Sequence, residues 1–285
     1  MASVLVTGAS RGIGFATTLA LGRAGHTVYA TMRDPRRSQD LEEIVETEHL
    51  AIRISAMDID SDASVKKSIG SILKTHGPLD VLVNNAGIER TGSVEELDIA
   101  EVRAVMETNY FGALRCIQAV MPGMRARRSG CIINVTSVSG RVSSPPLGAY
   151  SASKFALEAL SESLAQEAKM FNIRVAIVQP GIIDTAMARR IGSEPAPSVY
   201  PHSRRMAALF ALSLEQPTQP SVVAEKILEI IENGEWRLRY PVGPEAEGYL
   251  QRRASMTDEQ WIERGAADDE TWSRSILRAF GRKLT

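Results

Sequence analysis

Short runs of Val, Ile and Leu alternate with longer stretches of helical period over about two thirds of the chain. The runs at 3–7, 27–31, 50–54, 81–84, 131–136 and 174–179 are apolar and each too short for a helix. Between them lie amphipathic stretches near 12–24, 40–48, 62–76, 98–127 and 150–170. Strands that are apolar along their whole length are covered on both faces, which predicts a parallel sheet sandwiched by helices. Right-handed crossovers then lead to an α/β, Rossmann-like, doubly wound architecture. A further run at 236–240 brings the expected strand count to about seven. No repeat of solenoid period is present.

Residues 182–220 break this rhythm. Ser193-Glu194-Pro195-Ala196-Pro197 leads to the apolar and aromatic residues Tyr200, Met206, Leu209 and Phe210. A Pro-punctuated insertion above an α/β sheet reads as a lid. A helix is expected over about 221–233. Beyond the last strand, 244–285 reads as helices, with Thr257-Asp258-Glu259-Gln260 at capping-box spacing. That extension carries no sequence sign of catalysis, so an accessory or assembly role is expected for it.

Composition narrows the classes of partner. Across 285 residues, 33 Lys and Arg against 34 Asp and Glu leave a formal charge of −1. Such a balance offers no general field for a polyanion, so nucleic acid is not the expected partner. No apolar run approaches the ~18–20 residues of a membrane span. The N-terminus lacks the basic start of a signal peptide, which points to a cytoplasmic protein. Cys116 and Cys131 have neither metal nor redox spacing and read as reduced structural thiols.

Three local motifs carry chemistry. The first strand runs into Thr7-Gly8-Ala9-Ser10-Arg11-Gly12-Ile13-Gly14 and then a helix. Glycines there let backbone N–H groups at a helix start approach a pyrophosphate. The fourth strand closes with Asn84-Asn85-Ala86-Gly87. Tyr150 and Lys154 stand four apart at a helix start, on one face, with Ser137 13 residues upstream of Tyr150. Together, in this order and spacing, these motifs resemble the short-chain dehydrogenase/reductase family, in its single-domain branch of ~250 residues. The resemblance spans residue 3 to about 235.

The resemblance implies a dinucleotide held by Gly8, Ser10, Arg11, Gly12, Ile13 and Gly14, then by Asp58 and Ile59 at the adenine end. Asn85, Ala86, Gly87, Pro180, Gly181, Ile183 and Thr185 would line it further along. With the lid and the extension as read above, the expected division is a catalytic domain over 1–243, with the lid at 182–220, and a helical extension over 244–285. The choice of dinucleotide rests on charges after the second strand. A carboxylate there favours NAD(H) and a cation favours NADP(H). Asp34 stands 20 residues after Gly14 but directly precedes Pro35, which favours a turn. Arg33 is closer to the strand end, and with Arg11 it suits a 2′-phosphate. NADP(H) is therefore expected over NAD(H), with Arg36 and Arg37 adding to a local basic cluster. Asp58 has a second reading as the cap of the following helix.

By the same resemblance the catalytic set is Asn109, Ser137, Tyr150 and Lys154. Tyr has an ordinary pKa of about 10, and a nearby ammonium favours its phenolate. Tyr150 is then the general acid/base, Lys154 its electrostatic partner and a ligand of the nicotinamide ribose. Ser137 would hold the substrate oxygen, with Ser139 as competitor and Thr136 as a weaker candidate. Asn109 would order a water leading to Lys154, and no metal is needed. Ser137, Ile88, Leu147, Met187, Tyr200, Met206 and Phe210 are expected around a small, hydrophobic carbonyl or alcohol substrate. The resemblance implies a homodimer through helices 98–127 and 150–170, with a tetramer open, and the C-terminal helices would cover the edge strand. The alternative is a non-catalytic NADPH sensor that binds a protein partner. Asp184 departs from the family pattern without explanation.

Overall fold

The computed structural model describes residues 1–280 apart from 194 and 196, so Glu194 and Ala196 of the expected lid and the end of the extension lie outside the described residues. Seven parallel strands form one sheet in the order β3-β2-β1-β4-β5-β6-β7. They are β1 (Ser3–Thr7), β2 (Thr27–Met32), β3 (Ile52–Ala56), β4 (Val81–Asn84), β5 (Gly130–Val135), β6 (Ile173–Pro180) and β7 (Arg239–Val242). The strand order reverses between β1 and β4, so the crevice opens above their carboxyl ends.

Alternate residues of each strand feed opposite layers. Val4, Val6, Val28, Ala30 and Val83 pack with α1 (Gly12–Arg23) and α9 (Pro220–Asn233). Leu5, Tyr29, Leu82 and Ile132 pack with α3 (Asp62–His76), α5 (Ala113–Arg127) and α6 (Gly148–Lys169). Each fully buried aliphatic side chain stabilises the fold by roughly 1.5–3 kcal/mol. Cys116 and Cys131 are buried and unpaired, and burial pushes their thiols up to about 12 and about 11. The thiolate is the reactive form, so both are inert packing groups.

Two strands begin later than their hydrophobic runs. Residues 50–54 become Ile52–Ala56 because α2 (Gln39–Thr47) ends through a left-handed His49, and the Leu50 amide donates back to Val45. The run at 236–240 becomes Arg239–Val242 because the ladder with β6 starts at Ile177 and Arg239. Trp236 stays outside, under the Lys169 ammonium 3.3 Å from its ring centre.

The expected helix at 98–127 comprises α4 (Ile99–Met106), a π-helical segment (Glu107–Gly112) and α5. Residues 182–220, expected as a lid, contain α7 (Ala186–Ser193) and α8 (His202–Leu214). The extension forms α10 (Ala246–Ala254), α11 (Asp258–Ala266) and α12 (Asp269–Phe280), with the expected capping box between Thr257 and Gln260 present. Among the described residues no helix is long and apolar enough to cross a membrane.

Candidate active site

A cavity of about 1330 Å³ runs above the carboxyl ends of β1, β4, β5 and β6. Its floor at one end is almost bare backbone. Gly8 and Gly12 have φ of +68° and +58°, which favours glycine, and a Cβ on Gly8 would lie 2.8 Å from Ala86 Cα. A Cβ on Gly14 would collide with the Gly8 carbonyl and the Asn85 amide, so Gly14 shapes the turn from behind without lining the cavity. The Thr7 hydroxyl accepts from the Asn85 and Ala86 amides at 3.1 Å each, and the Asn85 side chain donates to Thr7 O at 2.9 Å. These bonds lock the glycine turn to the end of β4. The resulting cradle fits a dinucleotide: Gly8, Ser10, Arg11, Gly12 and Ile13 line it, as do Asn85, Ala86, Gly87, Pro180, Gly181, Ile183 and Thr185.

At the adenine end the cavity is lined by Arg33, Asp58 and Ile59. Ser61, not Asp58, caps α3, accepting from the Ser64 amide at 3.3 Å. Asp34 is held by Arg36 at 2.8 Å and by Arg37 at 3.6 Å. Arg36 is thereby committed to Asp34 and does not line the cavity, which corrects its place in the basic cluster. Arg11 and Arg33 do line it.

The catalytic candidates converge at the ends of β5 and α6. Ser137 donates its hydroxyl to Pro180 O at 3.4 Å and accepts the Ser139 amide at 3.1 Å. Its hydrogen bond to Tyr150 draws the phenol's pKa down, but burial dominates and pushes it up to about 12. Lys154, 4% exposed, donates to Val135 O at 3.0 Å, with its ammonium 5.7 Å from the Tyr150 ring centre. Burial pushes its pKa down to about 8, against the opposing pull of Glu158. The expected net lowering of Tyr150 by Lys154 is therefore absent in this structure, because desolvation penalises both charged forms.

Asn109 lies behind the cavity wall. Its Oδ1 accepts the Ile88 amide at 2.8 Å, while its Nδ2 donates to Ile88 O at 2.8 Å and Ser153 Oγ at 2.9 Å. The π-helical segment turns this side chain inward, and these bonds fasten the chain after β4 to α6. A Cβ on Gly87 would lie 3.2 Å from Asn109 Oδ1 and 3.6 Å from Lys154 Nζ, so Gly87 also keeps this junction close.

Glu158 is a polar hub that the sequence reading missed. It is 3% exposed and accepts from Thr136, Gln179 and Arg239 at 2.8, 2.9 and 2.9 Å. Its position four residues after Lys154 was the available signal. Asp184 now has a role too: it accepts a two-point bond from Arg189 at 2.6 and 2.8 Å, fixing the start of α7. Thr185 accepts the Ala188 amide at 3.2 Å.

At the substrate end, Ile88, Leu147, Met187, Met206 and Phe210 line the cavity together with Ser137. Tyr200 does not. Its hydroxyl donates to Glu95 at 2.8 Å, and neither residue lines the cavity. The C-terminal extension supplies a wall in its place. Tyr249 and Ser144 share a hydrogen bond of 2.8 Å, and Trp261 donates to Ser143 O at 3.1 Å. Arg205 of α8 binds Asp269 at 2.7 Å, and His202 meets Gly265 O at 3.2 Å. Reading the extension as a cover for the edge strand thus misses its place over the cleft. Glu245, also missed, accepts the Ile182 amide beside Gly181.

A doubly wound sheet, a glycine cradle and a Ser-Tyr-Lys constellation define a nucleotide-binding oxidoreductase. The chain belongs to the short-chain dehydrogenase family, whose model matches residues 2–196. It is 34% identical over 266 residues to the oxidoreductase BOA17 of Botryotinia fuckeliana, covering 90% of this chain and 96% of that protein. A short-chain dehydrogenase from Streptomyces avermitilis superposes with a TM-score of 0.77 at 32% identity, over 94% of this chain and 98% of that one. A variant of actinorhodin polyketide ketoreductase, solved with NADPH, superposes with a TM-score of 0.73 at 28% identity, over 82% and 91%. The protein is accordingly an oxidoreductase of the class acting on CH–OH and carbonyl groups, with a nicotinamide cofactor.

Proposed function

We propose that the protein is an NADP(H)-dependent oxidoreductase that interconverts a carbonyl and an alcohol on a small, largely hydrophobic substrate. The observation that carries this reading is Ser137, Tyr150 and Lys154 gathered beside the glycine cradle. A bound nicotinamide would supply or accept the hydride. The chain itself orients the substrate and handles the proton. Ser137 holds the substrate oxygen against Tyr150. With its pKa up near 12, Tyr150 keeps its proton at neutral pH and donates it from Oη during carbonyl reduction. Lys154 sets the local field and would hold the ribose, and Asn109 keeps Ile88 and α6 in register. Arg11 and Arg33 would hold a 2′-phosphate, and the NADPH of actinorhodin polyketide ketoreductase accords with that preference. The domain division at 243–244 and a homodimer through α4, α5 and α6 complete the reading. Phe111 and Phe155, each 43% exposed, offer an apolar contact for the dimer.

The test is absorbance loss from NADPH or NADH with a panel of hydrophobic ketones and aldehydes. Tyr150→Phe should lower turnover by about a thousandfold, or ~4 kcal/mol of barrier, while NADPH binding survives. Turnover that persists in this variant overturns the mechanism. Arg33→Ala should weaken NADPH by about tenfold and leave NADH nearly unchanged; equal losses overturn the NADP(H) preference. A non-catalytic sensor would bind NADPH but turn over no member of the panel in either direction.

A further inference from the structure

The cations around the substrate end of the cleft are not equally balanced. Arg190 pairs with Glu89 and Arg205 with Asp269. Arg252 and Arg264 also line the cavity, yet among the described residues neither has a carboxylate within ion-pair distance. Both are half-buried. Arg264 lies over the Trp261 ring at 5.1 Å from its centre. Burial opposes the charge of Arg264, and nearby Arg252 adds to that.

This pair has a defined position relative to the chemistry. Trp261 and Tyr249 bond to Ser143 and Ser144, on the loop that leads into α6 and Tyr150. Met206 and Phe210 line the same cavity and give this part of it an apolar surface. The sole carboxylates facing this end among the cavity residues, Glu89 and Glu245, are engaged by Arg190 and by the Ile182 amide. Two half-buried guanidiniums without a carboxylate partner, in a cavity that also presents apolar side chains, make a site that an anionic group would stabilise.

We infer that the substrate carries a carboxylate at the end remote from its reacting carbonyl or alcohol, bound by Arg252 and Arg264 of the C-terminal extension. The substrate class is then an oxo- or hydroxy-acid with an apolar chain between its two functional groups. This assignment rests on the oxidoreductase reading for the identity of the reacting group, but not for the anion site itself.

The test uses the full-length protein loaded with NADPH and titrated calorimetrically with decanoate and with methyl decanoate. Decanoate should bind at least tenfold more tightly. The double variant Arg252→Gln with Arg264→Gln should abolish that preference, and Arg252→Lys with Arg264→Lys should retain part of it, with NADPH affinity reporting that each variant is folded. Equal affinity for acid and ester in the unaltered protein, or an unchanged preference in the Gln variant, overturns the inference. Turnover of 9-oxodecanoate and its methyl ester separates the two levels. Equal kcat/KM for both ketones overturns the carboxylate site while the oxidoreductase reading stands. Selective decanoate binding with no carbonyl or alcohol turned over supports the site and overturns that reading.

Discussion

The two ends of the cleft are built by different means. At the cofactor end the walls are backbone: the glycine turn, the strand ends and the Thr7–Asn85 bonds hold one another with almost no long side chains. At the substrate end the walls are helices from residues 182–220 and 244–280. They are joined to the sheet and to one another through long side chains, such as Arg205 to Asp269 and Arg190 to Glu89. A backbone cradle tolerates no added volume. A wall of side chains can change its contacts one pair at a time, so substrate range can vary over a constant cofactor site.

The largest effect should come from filling the cradle. Gly14→Ala puts a methyl group into the Gly8 backbone carbonyl, which cannot yield without moving the glycine turn, and into the Asn85 side-chain amide, which would lose its bonds to Thr7 O and Gly8 O. NADPH affinity should fall by at least a hundredfold, and the thermal midpoint should drop by several degrees, as for ~1–3 kcal/mol of overpacking. Fluorescence titration and calorimetry read both, and unchanged NADPH affinity would break the contrast.

A second prediction concerns the floor between the two ends. Lys154 has its folded pKa lowered to about 8, against about 10.4 in an unfolded chain, so above pH 8 the unfolded state binds more protons. Its contribution to stability therefore rises from pH 8 towards 10, by on the order of 2 kcal/mol. Tyr150, raised to about 12, contributes the opposite way: stability falls as pH climbs from 10 towards 12. Urea unfolding of the protein and of Lys154→Met should diverge between pH 8 and 10, and parallel profiles would show that Lys154 is not desolvated as placed.

The smallest effect is expected at the outer wall. Asp269→Ala removes the partner of Arg205, which is 8% exposed, while Asp269 itself faces solvent. The cost should be ~1 kcal/mol. KM for a ketone should rise a few-fold while NADPH affinity stays level. An equal loss in both would mean that the two ends are coupled, and would sharpen the comparison into a statement about closure.

Legibility in the sequence followed the same division. The cofactor end was readable because glycines, a strand end and a helix start lie within about ten residues, where local geometry dictates residue type. Tyr150, Lys154 and Ser137 were likewise set by spacing along one helix and its preceding loop. Tyr200 was misplaced because hydrophobicity in an insertion does not say which side chains face the cavity; here the phenol bonds Glu95, and neither residue lines it. Arg36 was misassigned because its nearest carboxylate, Asp34, is only two residues away and claims it first.

By itself the sequence determined the alternation of strands and helices, the order in which the chemistry occurs, and the glycine positions at which only a bare backbone fits. The tertiary structure alone decided where residues 244–280 go. Trp261 reaches Ser143 across 118 positions and Arg205 reaches Asp269 across 64. Such pairings depend on which surfaces remain free after the sheet and its helices have packed, and no local period encodes that. They place Tyr249, Arg252 and Arg264 at the substrate end, in a segment without any local sign of chemistry.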